Sequence, residues 1–462
     1  MTAAPAKGWL QRAVLAACIG LVRLFYRERS VAGAMWVPAR GPCIVIANHP
    51  NGLIDPALLR LALQRPIGFL AKSTLFENPW GRLATSAFDA VPVYRARDGE
   101  DTQRNERTFE LCVAHLQAGG WLALFPEGKS HSVPRLEPLK TGAARIALRA
   151  AQALPPGQPL PIVPVGLGYD AKETFRSRAA VTVGAPIDAA DVLAAHGAVP
   201  DAVRALTARM AHALGQGMLQ AANHELWRGL LAVAHWTLPA PSGAADGPAR
   251  AAALADVEAH ARRLAEAFER LQADDPAEAE GVVDEVRGFV RALDAAGVTD
   301  PLQLEQPAPG VGAWLRALAP LVLFAPVAGL GALLGWLPYR AIRPLAVRLA
   351  RGETDLTSTL KLLLGLAILP LWYAGLALAA ADVWGTAPGL GLFVLGPLSG
   401  FTALRWDERF TLRRVALHAA WLRATAPKVA AELAERRRDL GRRVVGILER
   451  DAGMLKRDAL GG

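Results

Sequence analysis

Apolar and polar positions divide the chain into regions with different patterning. From 40 to 190, short apolar runs alternate with segments of helical periodicity. The runs CIVIAN (43–48), IGFLAK (67–72), WLALFPE (121–127), PIVPVGL (161–167) and AAVTVG (179–184) predict strands buried on both faces, and 56–64, 102–118 and 138–152 predict helices. This alternation predicts an α/β domain. Residues 237–255 form a Pro/Gly/Ala-rich break that predicts a linker, and 254–296 is polar, helix-prone and without a motif. No internal repeat is present.

Beyond 316 the charges vanish over 317–339, 362–381 and 383–404. Each stretch approaches or exceeds the roughly 20 apolar residues that a helix needs to cross a bilayer. Only Asp382 separates the second from the third, which predicts a helical hairpin. The first carries Pro320, Pro326 and several glycines, so a re-entrant or kinked segment competes with a simple span. Residues 340–361 hold five basic against two acidic side chains, and 405–458 hold 14 against 8, which places both on the cytoplasmic side. If 317–339 crosses once, residues 1–316 face outward. If it is re-entrant, every soluble part faces the cytoplasm, and the chemistry below favours that case.

The N-terminal apolar run 13–25 is short, interrupted by Arg23 and followed by no A-x-A-like site, so it is not read as a signal peptide. Its mixture of basic residues with Trp9, Leu10, Val14, Leu15, Ile19, Val22 and Phe25 predicts an amphipathic helix in the headgroup region; a helix packed on the domain is the alternative. The expected organisation is an N-terminal helix (1–34), an α/β domain (35–236), a linker and polar helical region (237–310), a hydrophobic membrane region (311–404) and a basic helical tail (405–462).

Composition supports the membrane reading. Residues are 52% hydrophobic and 20% charged, with 12 Trp and a net charge of +9, and the mean hydropathy is +0.22. That is too apolar for a disordered or nucleic-acid-coating protein, so the expected partner is membrane lipid and not nucleic acid. Residues 405–425 interleave Phe410, Leu412, Val415, Leu417, Trp421 and Leu422 with five arginines, as a helix on anionic lipid would. A solvated face is the alternative. Cys18, Cys43 and Cys112 each stand alone, which offers neither a disulfide framework nor metal-ligand spacing. No metal site is expected.

The informative segment is CIVIANHPNGLIDP, where a buried strand ends and His49 and Asp55 follow with five residues between them. Strand ends carry the reactive groups of α/β sheets. A neutral imidazole can take a proton from an attacking hydroxyl, and a carboxylate on its other nitrogen fixes the tautomer and stabilises the imidazolium. Each residue also has a plainer reading: Asp55 before Pro56 as a helix N-cap, and His49 as a loop histidine.

FPEGKSH (125–131) again follows an apolar strand end, with Glu127 and Gly128 where backbone can approach a ligand and Lys129 and Ser130 able to bind an anion. With NHPNGLIDP it resembles the glycerol-3-phosphate and 1-acylglycerol-3-phosphate acyltransferase family. The resemblance covers about 35–190 and consists of four ordered blocks: NHPNGLID, VPVYR (91–95), FPEGKS and IVPVG (162–166). Most members have four residues between His and Asp; the extra residue resembles the branch that acts on glycerol 3-phosphate or dihydroxyacetone phosphate.

The resemblance implies an α/β fold, an acyltransferase domain with a mixed, mostly parallel sheet flanked by helices, followed here by the helical membrane region. It implies His49 as general base and Asp55 as its orienting partner, with acyl transfer from a thioester by direct attack. Arg95 would bind the acceptor phosphate bidentately; a surface salt bridge is the alternative. Glu127 and Gly128 would shape the acceptor site, with backbone amides near 127–130 facing the oxyanion. Lys72 and Lys140 occupy places where the family often has basic residues, and either could equally be solvated. No cofactor is implied beyond an acyl-CoA or acyl carrier protein co-substrate. The expected function is acyl transfer to glycerol 3-phosphate or a related glycerol-phosphate acceptor in phospholipid synthesis, at a bacterial-type inner membrane with the domain on its cytoplasmic face. Other lipid O-acylation and non-catalytic lipid binding are the alternatives.

Overall fold

The computed structural model describes residues 7–94, 105–196, 199–238, 252–306, 310–353 and 356–461. The chain divides into two compact units, one formed by Met1–Leu231, Ala245–Arg262 and Glu353–Thr359, the other by Ala232–Ala244, Arg263–Gly352 and Leu360–Gly462.

In the first unit the elements follow as α1 (Trp9–Phe25), β1 (Tyr26–Ala32), β2 (Cys43–Ala47), α2 (Ile54–Leu63), β3 (Ile67–Lys72), α3 (Pro79–Ala87), β4 (Ala90–Val93), α4 (Asn105–Gln117), β5 (Trp121–Leu124) and α5 (Gly142–Ala153). Then come β6 (Pro161–Tyr169), β7 (Ser177–Val183), β8 (Ile187–Asp188), α6 (Ala189–His196) and α7 (Val199–Gly217). The eight-stranded sheet runs β1-β7-β6-β2-β5-β3-β4, with β8 also pairing β6. β6 is antiparallel to β7 and β8, and the other pairings are parallel. The sheet is therefore mixed and mostly parallel. Its centre explains the continuous apolar runs: all five residues of β2 and all four of β5 are buried, and α5, α6 and α7 pack on them in one cluster with Ile44, Leu122, Ile146, Val192 and Leu206.

Two strands depart from the expected pattern. The N-terminal helix expected over 1–34 is helical only for Trp9–Phe25, and Tyr26–Ala32 (YRERSVA) forms the edge strand β1, whose alternation of buried and solvated positions is that of a half-exposed strand. β4 is four residues long with Pro92 inside it, tolerable because it lies at the opposite edge.

α8 (His224–Thr237), α9 (Leu254–Asp274) and α12 (Thr357–Trp384) have residues in both units, while α10 (Pro276–Ala295), α11 (Val311–Ala350), α13 (Thr386–Thr425) and α14 (Pro427–Gly461) lie in the second. The polar stretch 254–296 is thus a helix pair; Asp275 caps α10 by accepting from Glu278 N at 2.9 Å. Of the expected linker, 239–251 lies outside the described residues.

α11, α12 and α13 are long and apolar enough to cross a membrane, with mean hydropathies of 2.2, 2.1 and 1.4 over their most apolar windows, and only 6–17% of each window is buried in the protein. α11 runs unbroken through Pro320, Pro326, Pro338 and Pro344, so its backbone does not double back within 317–339. It also continues past the first arginines, because charge marks where an apolar stretch ends but does not break a helix. α11 and α13 approach closely at Gly331: a Cβ there would lie 2.0 Å from Ser399 O. The indole N–H of Trp406 donates to Leu321 O at 2.7 Å in the same pair.

Candidate active site

The loop after β2 carries His49 and Asp55 to one end of the sheet. Asp55 lies in the first turn of α2 without capping it: Leu53 is the N-cap residue and no side chain caps the helix. Its carboxylate, 0% exposed, is instead taken by three donors. His49 Nδ1 lies 2.8 Å from Oδ2, the amide of Asn51 donates to the same oxygen at 2.8 Å, and the Tyr169 hydroxyl donates to Oδ1 at 2.5 Å. A buried ionised carboxylate needs such donors. Because the carboxylate accepts, Nδ1 carries the ring proton and Nε2 keeps its lone pair. The imidazole stacks on Phe125 with centroids 3.9 Å apart and planes 11° apart, which fixes the ring plane.

The frame behind the pair is also hydrogen-bonded. Asn48 exchanges two bonds with the backbone of Leu167, Nδ2 donating to O at 3.0 Å and Oδ1 accepting from N at 2.7 Å. Asn51 Nδ2 donates to the Tyr26 hydroxyl at 2.6 Å, and that hydroxyl donates to Lys172 O at 2.9 Å. Burial, then the charge of Asp55, holds the Tyr26 and Tyr169 hydroxyls well above the ordinary tyrosine pKa. Both therefore remain donors. Lys172 Nζ donates to Pro50 O and to Ser132 Oγ, each at 2.6 Å.

Glu127, in the loop after β5, is buried, and its oxygens face protein donors. It accepts from the amides of His49 at 3.3 Å and Glu137 at 2.8 Å and pairs with His131 Nε2. The amide of His131 in turn donates to His49 O at 3.1 Å. Glu127 thus joins two loops and is absent from the cavity wall, unlike the acceptor-shaping place expected for it.

His49 opens on a cavity of about 410 Å³ whose walls are mainly apolar, with Leu70, Val93, Phe109, Phe125 and Ile146. Its polar members include Gly128, Lys140 and the start of α5 at Thr141 and Gly142. Gly128 has φ +75°, and a Cβ there would fall 2.8 Å from Lys140 Cδ, so the missing side chain lets the lysine stem lie across the turn. The Gly128 amide is already donated to Phe125 O at 3.0 Å, so it is not among the free amides expected near 127–130.

The remaining nominated residues are dispersed. Lys129 is exposed and lies 3.5 Å from Glu137 Oε2; Ser130 is half-buried, and neither lines the cavity. Lys72 is exposed at the end of β3 and is also outside the lining. Arg95 lies outside the described residues; Tyr94 before it lines the cavity and is clamped by Asn105, whose side chain bonds both its amide and its carbonyl, at 2.9 and 2.8 Å. Among the described residues no group of three or more His, Cys, Asp or Glu is placed to hold a metal ion. No role was expected from the sequence for Tyr169, Lys172, His131 or Asn51.

Residues 28–168 match the Acyltransferase family model. An uncharacterized acyltransferase of Schizosaccharomyces pombe is 25% identical over 252 residues, which covers 36% of this chain and 37% of that protein. Two Saccharomyces cerevisiae proteins also match: glycerol-3-phosphate O-acyltransferase 2, 43% identical over 83 residues (18% of this chain, 11% of that one), and glycerol-3-phosphate O-acyltransferase 1, 27% identical over 280 residues (42% and 37%). The match thus spans little more than a third of these relatives' own length at most. The family match begins in β1 and ends in β6, and so takes in the dyad, the loop of Glu127 and the cavity wall. Residues 28–168 are a domain of the acyltransferase family.

Proposed function

We propose that the chain is a membrane-associated O-acyltransferase that moves a fatty acyl group from an acyl-CoA or acyl carrier protein thioester to a hydroxyl of glycerol 3-phosphate or a related glycerol-phosphate acceptor. The observation that carries this is the His49–Asp55 hydrogen bond of 2.8 Å at the wall of a largely apolar cavity. Nε2 of His49 takes the acceptor's hydroxyl proton as the oxygen attacks the thioester carbonyl, and Asp55 stabilises the imidazolium. Collapse of the tetrahedral intermediate expels the thiolate, which recovers the proton from Nε2. No residue is acylated. The apolar wall suits the acyl chain, and Lys140 beside the start of α5 offers charge and helix dipole to an acceptor phosphate. Arg95 is the second phosphate ligand in this reading, from its place in the sequence.

The similarity of the four blocks to glycerol-3-phosphate acyltransferases favours that acceptor over a lysophospholipid. Glu353–Thr359 folds into the same unit as His49, and Ser358 Oγ donates to Lys172 O at 2.8 Å. The unit of the dyad then takes the side of Glu353–Thr359, cytoplasmic by the charge of 340–361, where thioester donors are made, and on this reading α11 does not carry the chain across the bilayer. A membrane-impermeant thiol reagent is expected to reach Arg351→Cys only from the cytoplasmic side; labelling from outside overturns the placement.

The deciding experiment gives purified protein labelled acyl-CoA with glycerol 3-phosphate, dihydroxyacetone phosphate, 1-acylglycerol 3-phosphate and glycerol. Transfer that requires the acceptor phosphate and is abolished by His49→Ala is expected. Unchanged turnover in that variant removes the base, and transfer to glycerol at the same rate removes the phosphate.

A further inference from the structure

Asp55 can orient His49 only if its own carboxylate is held, and the hold is asymmetric. Both His49 Nδ1 and the Asn51 amide sit on Oδ2. Oδ1 has a single described donor, the hydroxyl of Tyr169, 114 residues away at the end of β6. We infer that Tyr169 is a positioning residue of the acyl-transfer site, whose hydroxyl fixes the rotation of the Asp55 carboxylate so that Oδ2 faces Nδ1.

The surroundings support this. Tyr169 is buried with its ring 5.2 Å from that of Tyr26, so the hydroxyl is delivered to Oδ1 by a side chain packed against an aromatic neighbour. It lies outside the wall of the His49 cavity and instead lines a second cavity of about 550 Å³ with Asn48 and Lys172. Acting through Asp55, it touches neither Nε2 nor a substrate in the His49 cavity. Burial and the nearby carboxylate charge keep its hydroxyl protonated. Removing the hydroxyl leaves one oxygen of a buried ionised carboxylate with no partner, and the charge is drawn towards the imidazole proton.

The inference rests on His49 being the base, and the experiment separates the two. Full-length wild type, His49→Ala, Tyr169→Phe and Tyr26→Phe are assayed in the same detergent with labelled acyl-CoA and glycerol 3-phosphate. Tyr26 is the control because its hydroxyl meets Asn51 Nδ2 and Lys172 O, one step further from Asp55. Tyr169→Phe is expected to lower kcat about 10- to 100-fold, the scale of a lost hydrogen bond to a charged group, with both KM values within about twofold. The acid limb of its kcat/KM profile moves to higher pH, because a carboxylate with fewer donors pulls the dyad's proton more strongly. Tyr26→Phe keeps kcat within about threefold even where it unfolds at a lower temperature, since its hydroxyl never touches the carboxylate. An unmoved or lowered acid limb, or equal losses of kcat in the two tyrosine variants, overturns the role of Tyr169. Turnover surviving in His49→Ala overturns the base itself; an inactive His49→Ala beside a fully active Tyr169→Phe overturns only this inference.

Discussion

Asp55→Asn separates charge from shape at the dyad. The carboxylate has no solvent exposure and three donors, so most substitutions there strand a buried group. Asparagine is the exception. Its oxygen can stay on the Oδ2 side to accept from His49 Nδ1 and the Asn51 amide, and its NH2 then faces Tyr169, whose hydroxyl turns to accept. Folding stability is expected to stay within about 1 kcal/mol of wild type, since each bond is kept in some form. The lost quantity is the attraction between carboxylate and imidazolium. At an effective dielectric of about 20, two unit charges about 4 Å apart attract by about 4 kcal/mol, and the observed Nδ1 to Oδ2 distance is 2.8 Å. At about 1.36 kcal/mol per tenfold, kcat is expected to fall about a thousandfold. The assay is acyl transfer at saturating substrates, beside thermal unfolding of the same samples. A variant that retains more than about a tenth of wild-type kcat, while His49→Ala is inactive, refutes the electrostatic role and leaves Asp55 as a structural residue.

Other substitutions probe the frame. Glu127→Gln turns an acceptor towards the Glu137 amide into a donor, so stability is expected to drop about 1–3 kcal/mol with little change in the acceptor KM; a raised KM at unchanged stability would return Glu127 to the substrate. Glu258 on α9 is 3% exposed and lies against Gly168, and burial raises its carboxyl from 4.5 to about 7 against the pull of Arg262. Its neutral form is favoured by folding, so that stabilisation is complete below pH 4.5 and is lost as pH rises through about 7. Relative to Glu258→Gln, wild type should therefore lose up to about 3 kcal/mol between pH 5 and pH 8, read as the difference between their unfolding temperatures; a difference independent of pH contradicts this. Gly331→Ala should weaken the α11–α13 pair by about 1–3 kcal/mol through overpacking, whereas Gly329→Ala, with nothing within 4 Å of the added carbon, should not. Equal unfolding temperatures in detergent for the two variants would rule out the close approach.

What could be read from the chain beforehand depended on whether a residue's role was local. β2, β3, β5 and β6 were visible as apolar runs because the middle of a mostly parallel sheet is covered on both faces. β1 escaped notice because YRERSVA, at an edge, buries only Tyr26 and otherwise alternates exposed with half-buried residues, and it follows an apolar helix without a turn signal. The two residues of β8 are too few to carry a period. His49 and Asp55 are close in sequence, so their pairing could be considered at once, but the choice between cap and partner for Asp55 depends on Tyr169 and Asn51, whose side chains the sequence does not orient. Tyr169 itself reads as one more aromatic in a buried strand. For Glu127 the residue type was informative and the environment was not: an acid in a Gly-containing loop can face a ligand or bind amides, and burial decides.

The four sequence blocks acquire a common physical meaning from these contacts. Block one is joined to block three by the His49 amide on Glu127 and the His131 amide on His49 O, and to the strand of block four by Asn48 on Leu167 and Asp55 on Tyr169. Lys172 adds a further link, from the β6–β7 connection to Pro50 O and Ser132. Of the polar side chains in blocks one and three, those of Asn48, Asn51, Asp55 and Glu127 hold the loop, and that of His49 alone lines the cavity. The imidazole is thus supported from several elements, so its geometry is set when the sheet folds and need not be organised anew with each substrate. Under the proposed function such a design separates selection from chemistry, with acceptor preference set by the cavity wall, from Tyr94 and Asn105 to Lys140 and the start of α5. Exchanging wall residues is then expected to change which acceptor is used while leaving the acid limb of the pH profile in place, and substitutions among the donors to Asp55 are expected to do the reverse.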